Sequence, residues 1–267
     1  LFLDHKHKSK TMKKIFLFLF LAASITGFSQ DNPMFSLHLV RVEGDLAAFE
    51  QVQKIYMQKV AQDAVDKGDI SFWGFFKTYR LDGVDDEEIY NYLFVQGSQN
   101  VDALLSDKAA WWNNAPNVFT KKEQEMVESL SEKFTWVKDG RHVFAEEAGI
   151  GRGLGAYIQF NFATPKNLNG FITENQTLWH DYFDANMADM GMINWGVGRR
   201  IAPLSKDWSP VVTWDMFDTL ASLMKFRVGV TLPEEIVSAT KMSEYNPNGW
   251  NASVIFENLI FAVPAQD

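Results

Sequence analysis

Hydrophobic and polar positions follow two spacings along the first part of the chain. Residues 35–42 alternate residue by residue, which is typical of a half-buried strand. Residues 46–65 instead carry apolar side chains three and four positions apart, behind Asp45, a good helix N-cap. Residues 70–81 and 88–96 are apolar runs of strand length. The pattern predicts a strand, a helix and two further strands, with a short helix after them.

The second part of the chain repeats this order of elements. Residues 156–163 alternate like the first strand, and residues 173–190 have the spacing of a long amphipathic helix. Residues 192–204 and 211–217 are again of strand length, and prolines mark their ends. Each part is expected to finish with one closing strand, at 141–148 and at 253–263.

Two local motifs recur in the two parts and indicate a duplication. The first is a glycine, an isoleucine and a Trp-Gly pair around the second strand, at Gly68, Ile70 and Trp73-Gly74 and again at Gly191, Ile193 and Trp195-Gly196. The second is a capping box, which predicts an inserted helix before each closing strand, at Thr120-x-x-Glu123 and at Thr231-x-x-Glu234. A half-core repeated along one chain is normally completed by its twin. The two parts are therefore expected to pack on each other.

The predicted fold class is α+β. The element order is that of a ferredoxin-like β-α-β-β-α-β unit, so two such repeats are expected, at 34–150 and 151–267, each with an inserted helix before its last strand. The glycine-rich segment 149–155 is expected to link them. A strand follows this segment, whereas a dinucleotide-binding loop requires a helix there. Because one chain supplies both halves, the protein is expected to be a monomer.

The first residues have the features of a targeting segment. Residues 12–29 combine a basic start, an apolar run and small side chains before the Ser29-Gln30 bond, which predicts a signal peptide cleaved near that bond. The apolar run is shorter than the roughly 20 residues that a membrane span needs. Residues 1–11 precede the methionine and are interpreted as an upstream extension. The mature protein is expected to be exported, to the periplasm or beyond the cell, without a membrane span.

Charge and composition exclude several kinds of chemistry. A formal net charge of −9 argues against nucleic acid as a partner, because phosphates require clustered Lys and Arg. The chain has no cysteine, and His38, His142 and His180 have no paired ligand spacing, so no metal and no other cofactor are expected. No G-x-S-x-G motif is present. The catalytic residues, if there are any, are not identified by a motif.

Aromatic side chains make up 14% of the chain, and several fall on the predicted middle strands. With an arginine at a strand end, they could line a pocket that stacks a planar ligand and pairs its anionic group. The candidate ligand-binding residues of this kind are Trp73, Tyr92, Trp195, Arg199 and Trp214. The alternative is that the tryptophans belong to the core and the arginine is solvated.

Two such units, each with a long first helix and a Gly-x-Ile…Trp-Gly second strand, resemble the dimeric α/β-barrel superfamily in tandem. That superfamily includes antibiotic-biosynthesis-type monooxygenases, chlorite-dismutase-like haem proteins and stress-responsive barrel proteins. More narrowly, the chain resembles exported proteins of Bacteroidetes-type bacteria. The resemblance implies an intramolecular dimeric α/β-barrel, with ligands between a sheet and its helices or inside the barrel. It also makes the helix-borne His180 a candidate ligand-binding residue, with haem ligation as one alternative.

Two functions from different classes follow. The first is an exported, non-catalytic protein that binds a small apolar or aromatic ligand in a barrel cavity. It is favoured because no acid–base group recurs at matched, cavity-facing strand positions. The alternative, implied by the resemblance, is a cofactor-independent monooxygenase-like enzyme that acts on an electron-rich aromatic substrate.

Overall fold

Eight antiparallel strands dominate the computed structural model, which describes residues 33–79, 90–106 and 110–265. The strands are Met34–Gly44 (β1), Phe72–Thr78 (β2), Tyr92–Ser98 (β3), Phe134–Gly151 (β4), Tyr157–Ala163 (β5), Met192–Ala202 (β6), Val211–Phe217 (β7) and Trp250–Ala262 (β8). They close into one barrel in the order β1-β3-β2-β8-β5-β7-β6-β4. The predicted α+β class and the barrel are confirmed.

The strand order is the same in the two parts of the chain. Around the barrel the first four strands run β4-β1-β3-β2, and the last four run β8-β5-β7-β6. The two sets join where β2 pairs with β8 and where β4 pairs with β6, both antiparallel. Every strand therefore has a partner on each side.

Helices cover the outside of the barrel. They comprise 46–66 (α1), Val101–Leu105 (α2), Ala115–Val118 (α3), Lys121–Ser131 (α4), 168–186 (α5), Leu220–Val228 (α6), Glu234–Ala239 (α7) and Met242–Tyr245 (α8), with a 3₁₀ turn at Trp111–Asn114. Within the described ranges, none of these helices combines the length and the apolar character of a membrane span.

The two long helices share an internal irregularity. In α1 the residues Val52–Met57 are π-helical, and in α5 the same holds for Asn175–Trp179. The N-caps are a side-chain oxygen of Asp45, which accepts from the Ala48 amide, and one of Asn167, which accepts from the Gly170 amide. Because Asn167 caps α5, this helix begins before residue 173, where the sequence pattern placed its start.

The strands separate two kinds of core. Side chains that point inward fill the barrel and are almost all apolar, with Phe35, Phe144 and Phe256 among them. Side chains that point outward meet the helices in separate layers, one over the first four strands and others over the last four. Alternation along each strand decides which core a residue joins.

The structure corrects the predicted glycine linker. Gly149 and Gly151 belong to β4, where they pair with Gly196 and Asn194 of β6. A glycine can donate and accept in a sheet ladder like any other residue, so the run does not end the strand. The predicted segment 149–155 is therefore a linker only in its last residues.

The second predicted capping box is wrong. Thr120 and Glu123 form both hydrogen bonds of the motif at the start of α4. At the corresponding pattern, helix α7 begins at Glu234 behind Pro233, and Thr231 lies too early to cap it. Proline has no N–H and a fixed φ, so it suits the entry to a helix and moves the start past the threonine.

Three predictions on the leader fall outside the described residues. They are the upstream extension at 1–11, the signal peptide at 12–29 and the cleavage near Ser29-Gln30.

Candidate functional site

A cavity of about 400 Å³ lies between the outer face of the second set of strands and the helices over it. Its floor consists of side chains from β5, β6 and β7, and its roof consists of α5, α8 and the residues after α8. The volume is within the range of roughly 300–1,000 Å³ that is usual for small-molecule sites. The floor residues that line it are Gln159, Asn161, Trp195, Thr213 and Asp215.

A buried carboxylate lies at the centre of the floor. Asp215 Oδ2 accepts hydrogen bonds from Asn161 Nδ2 at 2.8 Å and from Gln159 Nε2 at 3.1 Å. Asn161 Nδ2 also lies 3.2 Å from Thr213 Oγ1. The Arg227 guanidinium, on the last turn of α6, donates to Gln159 Oε1. Two side-chain amides thus orient the carboxylate. The Arg227 guanidinium contacts one of these amides, Gln159, and has no hydrogen bond to the carboxylate itself in the described contacts.

Burial changes the acidity of this group. Removal from water raises the pKa of Asp215 from 3.8 to about 6, because the charged form loses its hydration. The hydrogen bonds from Asn161 and Gln159 and the charge of Arg227 oppose the shift without cancelling it. A carboxylate with a pKa just below neutrality is ionised at pH 7 and is still basic enough to accept a proton.

Strand alternation brings these polar groups together. Gln159 and Asn161 are two residues apart on β5, and Thr213 and Asp215 are two residues apart on β7, so all four side chains point to the helix side. The two strands pair with Gln159 opposite Asp215 and Asn161 opposite Thr213. The four residues therefore form a polar square on the outer face of the barrel.

Aromatic rings line the rest of the cavity. Trp195 on the floor is buried, and the Phe183 ring packs against it with centroids 5.0 Å apart. Trp179 and Phe171 line the cavity from α5, and Trp250 closes one edge, where it is half exposed. The cavity therefore offers a flat aromatic molecule several rings to stack against and one carboxylate as a hydrogen-bond acceptor.

Within the roof, a buried glutamate of α5 holds α8 in place. Glu174 accepts hydrogen bonds from Trp179 Nε1 at 2.9 Å, Thr240 Oγ1 at 2.5 Å and the Lys241 amide at 2.8 Å. The last two donors directly precede α8, so Glu174 holds this short helix over the cavity. Asn175 and Trp179 are the first and last residues of the π-helical turn, and both side chains line the cavity.

One buried acceptor in the roof has no protein partner. Asn246 lines the cavity and donates through Nδ2 to the Gly249 carbonyl at 2.9 Å, while its Oδ1 is buried without a hydrogen bond from the described residues. Such an acceptor is available to a hydroxyl or amine group of a bound molecule.

The first part of the chain has a matching cavity of about 600 Å³ with different polar groups. Gln96 stands opposite Trp73 in the β2–β3 pair, as Asp215 stands opposite Trp195 in the β6–β7 pair. The Gln96 amide oxygen accepts from Trp111 Nε1 at 2.8 Å. His38 lines this cavity, and burial lowers its pKa.

The His38 ring is engaged on both nitrogens. Nε2 lies 3.0 Å from Asp139 Oδ2, and Nδ1 lies 3.5 Å from Arg141 Nη2. A hydrogen-bonded carboxylate with a raised pKa is therefore found at Asp215 in the cavity over the last four strands. The corresponding position in the cavity over the first four strands is Gln96, which does not titrate.

The candidate ligand-binding residues named from the sequence do not share one cavity. Trp195 lines the site described above, and Trp73 lines the matching cavity in the first part of the chain. Trp214 points into the barrel interior, where its Nε1 donates to Asn194 Oδ1 at 2.8 Å. The sheet separates Trp214 from the other two rings, because successive side chains on a strand face opposite sides. Trp73 and Trp195 both face outward, but they lie under different helical layers.

The other three candidates lie outside the cavity linings. The Tyr92 hydroxyl donates to Glu50 Oε1 at 2.9 Å in the first helical layer. Arg199 pairs with Glu147, with 2.7 Å between Nε and Oε1. The ring of His180 packs edge-on against Trp195 at 6.4 Å and is partly exposed. Ligand binding by these residues stays a prediction.

The sequence reading missed Asp215, Gln159 and Asn161. A signal was present, because β5 and β7 each carry polar residues at alternate positions of a strand that is otherwise apolar. Polar residues at every second position are equally typical of a solvated sheet face. Only the helices over this face turn it into the floor of a cavity.

The described lining of the Asp215 cavity does not have the ligands of a metal or haem site. Among the residues that the structure describes, no three His, Asp or Glu side chains are grouped to hold a metal ion. His180, the candidate haem ligand, does not line the cavity beside it. The side chains that do line the cavity offer a carboxylate and amides without an imidazole, which does not fit an axial haem ligand.

Comparison with solved structures identifies the fold. A proposed monooxygenase from Lactobacillus acidophilus aligns with a TM-score of 0.50 at 11% identity, over 87% of this chain and 96% of that one. A proposed monooxygenase from Fusobacterium nucleatum aligns with a TM-score of 0.53 at 6% identity, over 88% and 96%. An anthrone oxidase-like protein gives a TM-score of 0.47 at 10% identity, over 87% and 93%. No family profile and no curated protein sequence matches the chain.

These neighbours are dimeric α/β-barrel proteins, and this chain has their fold. At such low identities the likeness extends to the fold alone, so the function has to be argued from the cavity itself.

Proposed function

We propose that this protein is a cofactor-independent, monooxygenase-like enzyme that acts on a small, electron-rich aromatic substrate. The observation that carries the proposal is Asp215, a buried carboxylate with a pKa raised to about 6 on the floor of an aromatic cavity. Ionisable groups with shifted pKa values in clefts are frequent at catalytic sites. The enzyme is favoured over non-catalytic ligand binding, which the sequence pattern favoured, because the cavity holds an oriented base that no sequence motif indicates.

The proposed chemistry begins with a proton transfer. An aromatic substrate with an acidic C–H or O–H group stacks against Trp195, and Asp215 removes the proton, leaving an electron-rich anion. Asn246 Oδ1 is placed in the roof to accept a second hydrogen bond from the substrate.

Dioxygen is the co-substrate and the oxidant. The anion transfers electrons to O₂, a C–O bond forms, and the proton held by Asp215 returns to give a hydroperoxide. Loss of water from an R₂CH–OOH intermediate yields R₂C=O, so that R₂CH₂ and O₂ become R₂C=O and H₂O. Atoms and electrons balance without a metal or a flavin.

Oxygen consumption tests the proposal. Purified protein is assayed with a panel of quinols, naphthols and anthrones, and Asp215→Asn is expected to lower kcat by about 10²–10⁴, the usual contribution of a general base. The log of the rate should rise with pH and level off above about pH 6, where Asp215 is ionised. Gln96→Asn, a change at the matching position of the other cavity, is the control and should leave the rate unchanged.

The same experiment distinguishes the non-catalytic alternative. If the wild-type protein binds aromatic ligands, measured by tryptophan fluorescence, but consumes no oxygen above the buffer rate with any of them, the enzyme proposal fails. Ligand binding in the cavity would then be the better description.

We further propose that the two halves are duplicated ferredoxin-like units. Their identical strand orders and the matched Trp-Gly positions support a duplication. Superposition of residues 34–150 on 151–267 in an experimental structure would reject it if the strands aligned but the chain order of the covering helices did not.

Export of the mature chain is also a proposal. It depends on the leader-like pattern at 12–29 and on the resemblance to exported Bacteroidetes-type proteins. The chain is expressed from Met12 in a bacterial host, and the cells are fractionated. N-terminal sequencing should then find a periplasmic or secreted form that begins near Gln30. Full-length protein retained in the cytoplasm would contradict it.

A further inference from the structure

A third cavity, of about 260 Å³, lies inside the barrel on the opposite side of the sheet from the Asp215 site. Its walls are mainly aromatic rings that point inward from both sets of strands. These rings are Phe35, Phe72, Phe76, Phe160, Trp214 and Phe261. Its volume is below the roughly 300–1,000 Å³ of sites for drug-sized molecules. Any ligand is therefore small.

One carboxylate enters this apolar space. Glu146 lines the cavity from β4, near the register shift that precedes Ala148. Its neighbour Glu147 pairs with Arg199 and lies outside the lining. A Cβ on Gly149 would lie 2.3 Å from Glu146 Oε1, so the absence of a side chain there makes room for the carboxylate.

Glu146 has no cationic partner among the residues that the structure describes. None of the ion pairs or side-chain hydrogen bonds found there includes its carboxylate, and burial alone raises its pKa. The other polar side chain of the lining, Asn194, uses Oδ1 to accept from Trp214 Nε1. Placing an ionised carboxylate in an apolar cavity raises the free energy of the folded protein unless a cation pairs with it.

The geometry points to a binding site for a small apolar ammonium ion inside the barrel. Its positive charge would pair with Glu146, and its apolar body would lie among the rings, whose faces attract cations as well as apolar groups. A neutral ligand would leave the carboxylate unpaired, and an anion would be repelled by it. This site is independent of the proposed oxygenase reaction at Asp215.

Gly151 and Leu154, at the β4–β5 connection, contribute to the lining, and Leu154 is 46% exposed. We infer that the mouth of the cavity lies beside Leu154. A small ligand would reach Glu146 past this side chain without opening the sheet.

Calorimetry at pH 7.5 with three ligands of similar size tests the proposal. They are 2-phenylethylammonium, the neutral 3-phenyl-1-propanol and the anion phenylacetate. The ammonium ion is expected to bind most tightly and the anion most weakly. Glu146→Gln should weaken binding of the ammonium ion about tenfold or more, since every tenfold change corresponds to about 1.4 kcal/mol. It should leave binding of the neutral alcohol unchanged.

Asp215→Asn is the control for the location of the site. It lies on the helix side of the sheet, so it should not change the affinity for the ammonium ion. The proposal is overturned if the ammonium ion does not bind, if the alcohol binds as tightly, or if Asp215→Asn and not Glu146→Gln removes the binding. Should Glu146→Gln fail to fold, Leu154→Trp at the mouth replaces it, and unchanged ammonium binding in that variant also counts against the site.

Discussion

Asp215 and Gln96 occupy equivalent places in the two halves of the barrel but carry different chemistry. Each faces the helices, and each stands opposite the tryptophan of a Trp-Gly pair. The amide of Gln96 is used to hold Trp111, whereas the carboxylate of Asp215 is held by two amides and lines the cavity. At this position a glutamine makes a buried polar contact in one half of the barrel, and an aspartate provides a candidate base in the other.

The Trp-Gly pairs have a packing reason at the level of single atoms. Trp195 points outward to the cavity, so Gly196 points inward, where a Cβ would lie 2.1 Å from the Trp214 ring. A Cβ on Gly74 would meet the Phe76 and Phe261 rings at 2.7 and 2.8 Å. The glycines are needed because a large ring from the barrel interior crosses the strand at each of these points.

Burial of Asp215 should make stability depend on pH. Its pKa is raised in the folded state from 3.8 to about 6, so the carboxylate is easier to ionise in the unfolded chain. Stability is therefore lost as pH rises through about 4 to 6, and the loss is complete above that window. At about 1.36 kcal/mol per pKa unit, Asp215→Asn is expected to raise the free energy of unfolding at pH 7.5 by roughly 2–3 kcal/mol.

Urea denaturation at two pH values checks this expectation. The gain from Asp215→Asn should be present at pH 7.5 and should disappear at about pH 3, below the unfolded-state pKa of 3.8, where the carboxyl group is neutral in both states. Glu128→Gln, which removes an exposed carboxylate on α4, is the control and should show neither effect. A destabilised Asp215→Asn protein at pH 7.5 would contradict the assigned pKa direction.

At the scale of elements, the long helices and the strands play different parts in the site. Strand alternation places the polar square on the outer face, and the π-helical turn of α5 brings Asn175 and Trp179 over it. The corresponding turn of α1 lines the first cavity with Gln53 and Met57. π-helical turns are often found at functional sites, where the extra residue in the turn redirects side chains.

The two capping-box patterns should differ in their effect on stability. Thr120→Ala removes the hydroxyl that accepts from the Glu123 amide and is expected to lower the free energy of unfolding by about 1 kcal/mol. Thr231→Ala removes a threonine that does not cap α7, so the change should stay within about 0.5 kcal/mol. Thermal or chemical denaturation of both variants measures the difference. Equal losses would show that the second pattern caps its helix after all.

At the scale of the whole molecule, closure of the barrel has a consequence for association. Each of the eight strands has two neighbours, so no strand edge remains unpaired among the described residues. Exposed strand edges are a common route to pairing between chains. The protein needs no second copy to complete its sheet.

We therefore propose that the protein is a monomer in solution. Sedimentation velocity at micromolar concentrations should give a single species with a mass near 30.5 kDa, less any leader that has been removed. A dimer that persists on dilution to nanomolar concentrations would contradict this expectation and would indicate an interface on the helical surface.

The amino-acid sequence by itself determined the strands, the long helices and their order, but not the short helices α3 and α8. Apolar spacing distinguishes strands from helices because the two backbones repeat every two and about 3.6 residues, and these periods are local properties. The Trp-Gly pairs and the element order predicted two α+β units, and the barrel was implied only by the resemblance to a known superfamily that these features support. The prediction at Thr231 was wrong because Pro233 moves the start of α7 past the threonine. The prediction for the glycine segment was wrong because Gly149 and Gly151 pair with β6.

The tertiary structure alone decided which side chains share a space. Trp73, Trp195 and Trp214 all lie on middle strands, yet the sheet assigns them to three cavities. Asp215 becomes a buried base because α5 and α8 cover its side of β7. Glu146 has no cationic partner within the described part of the chain, because β4 turns its carboxylate toward an apolar barrel interior. Acidity and recognition depend on distances between residues that are far apart in the chain, and a local pattern does not contain those distances.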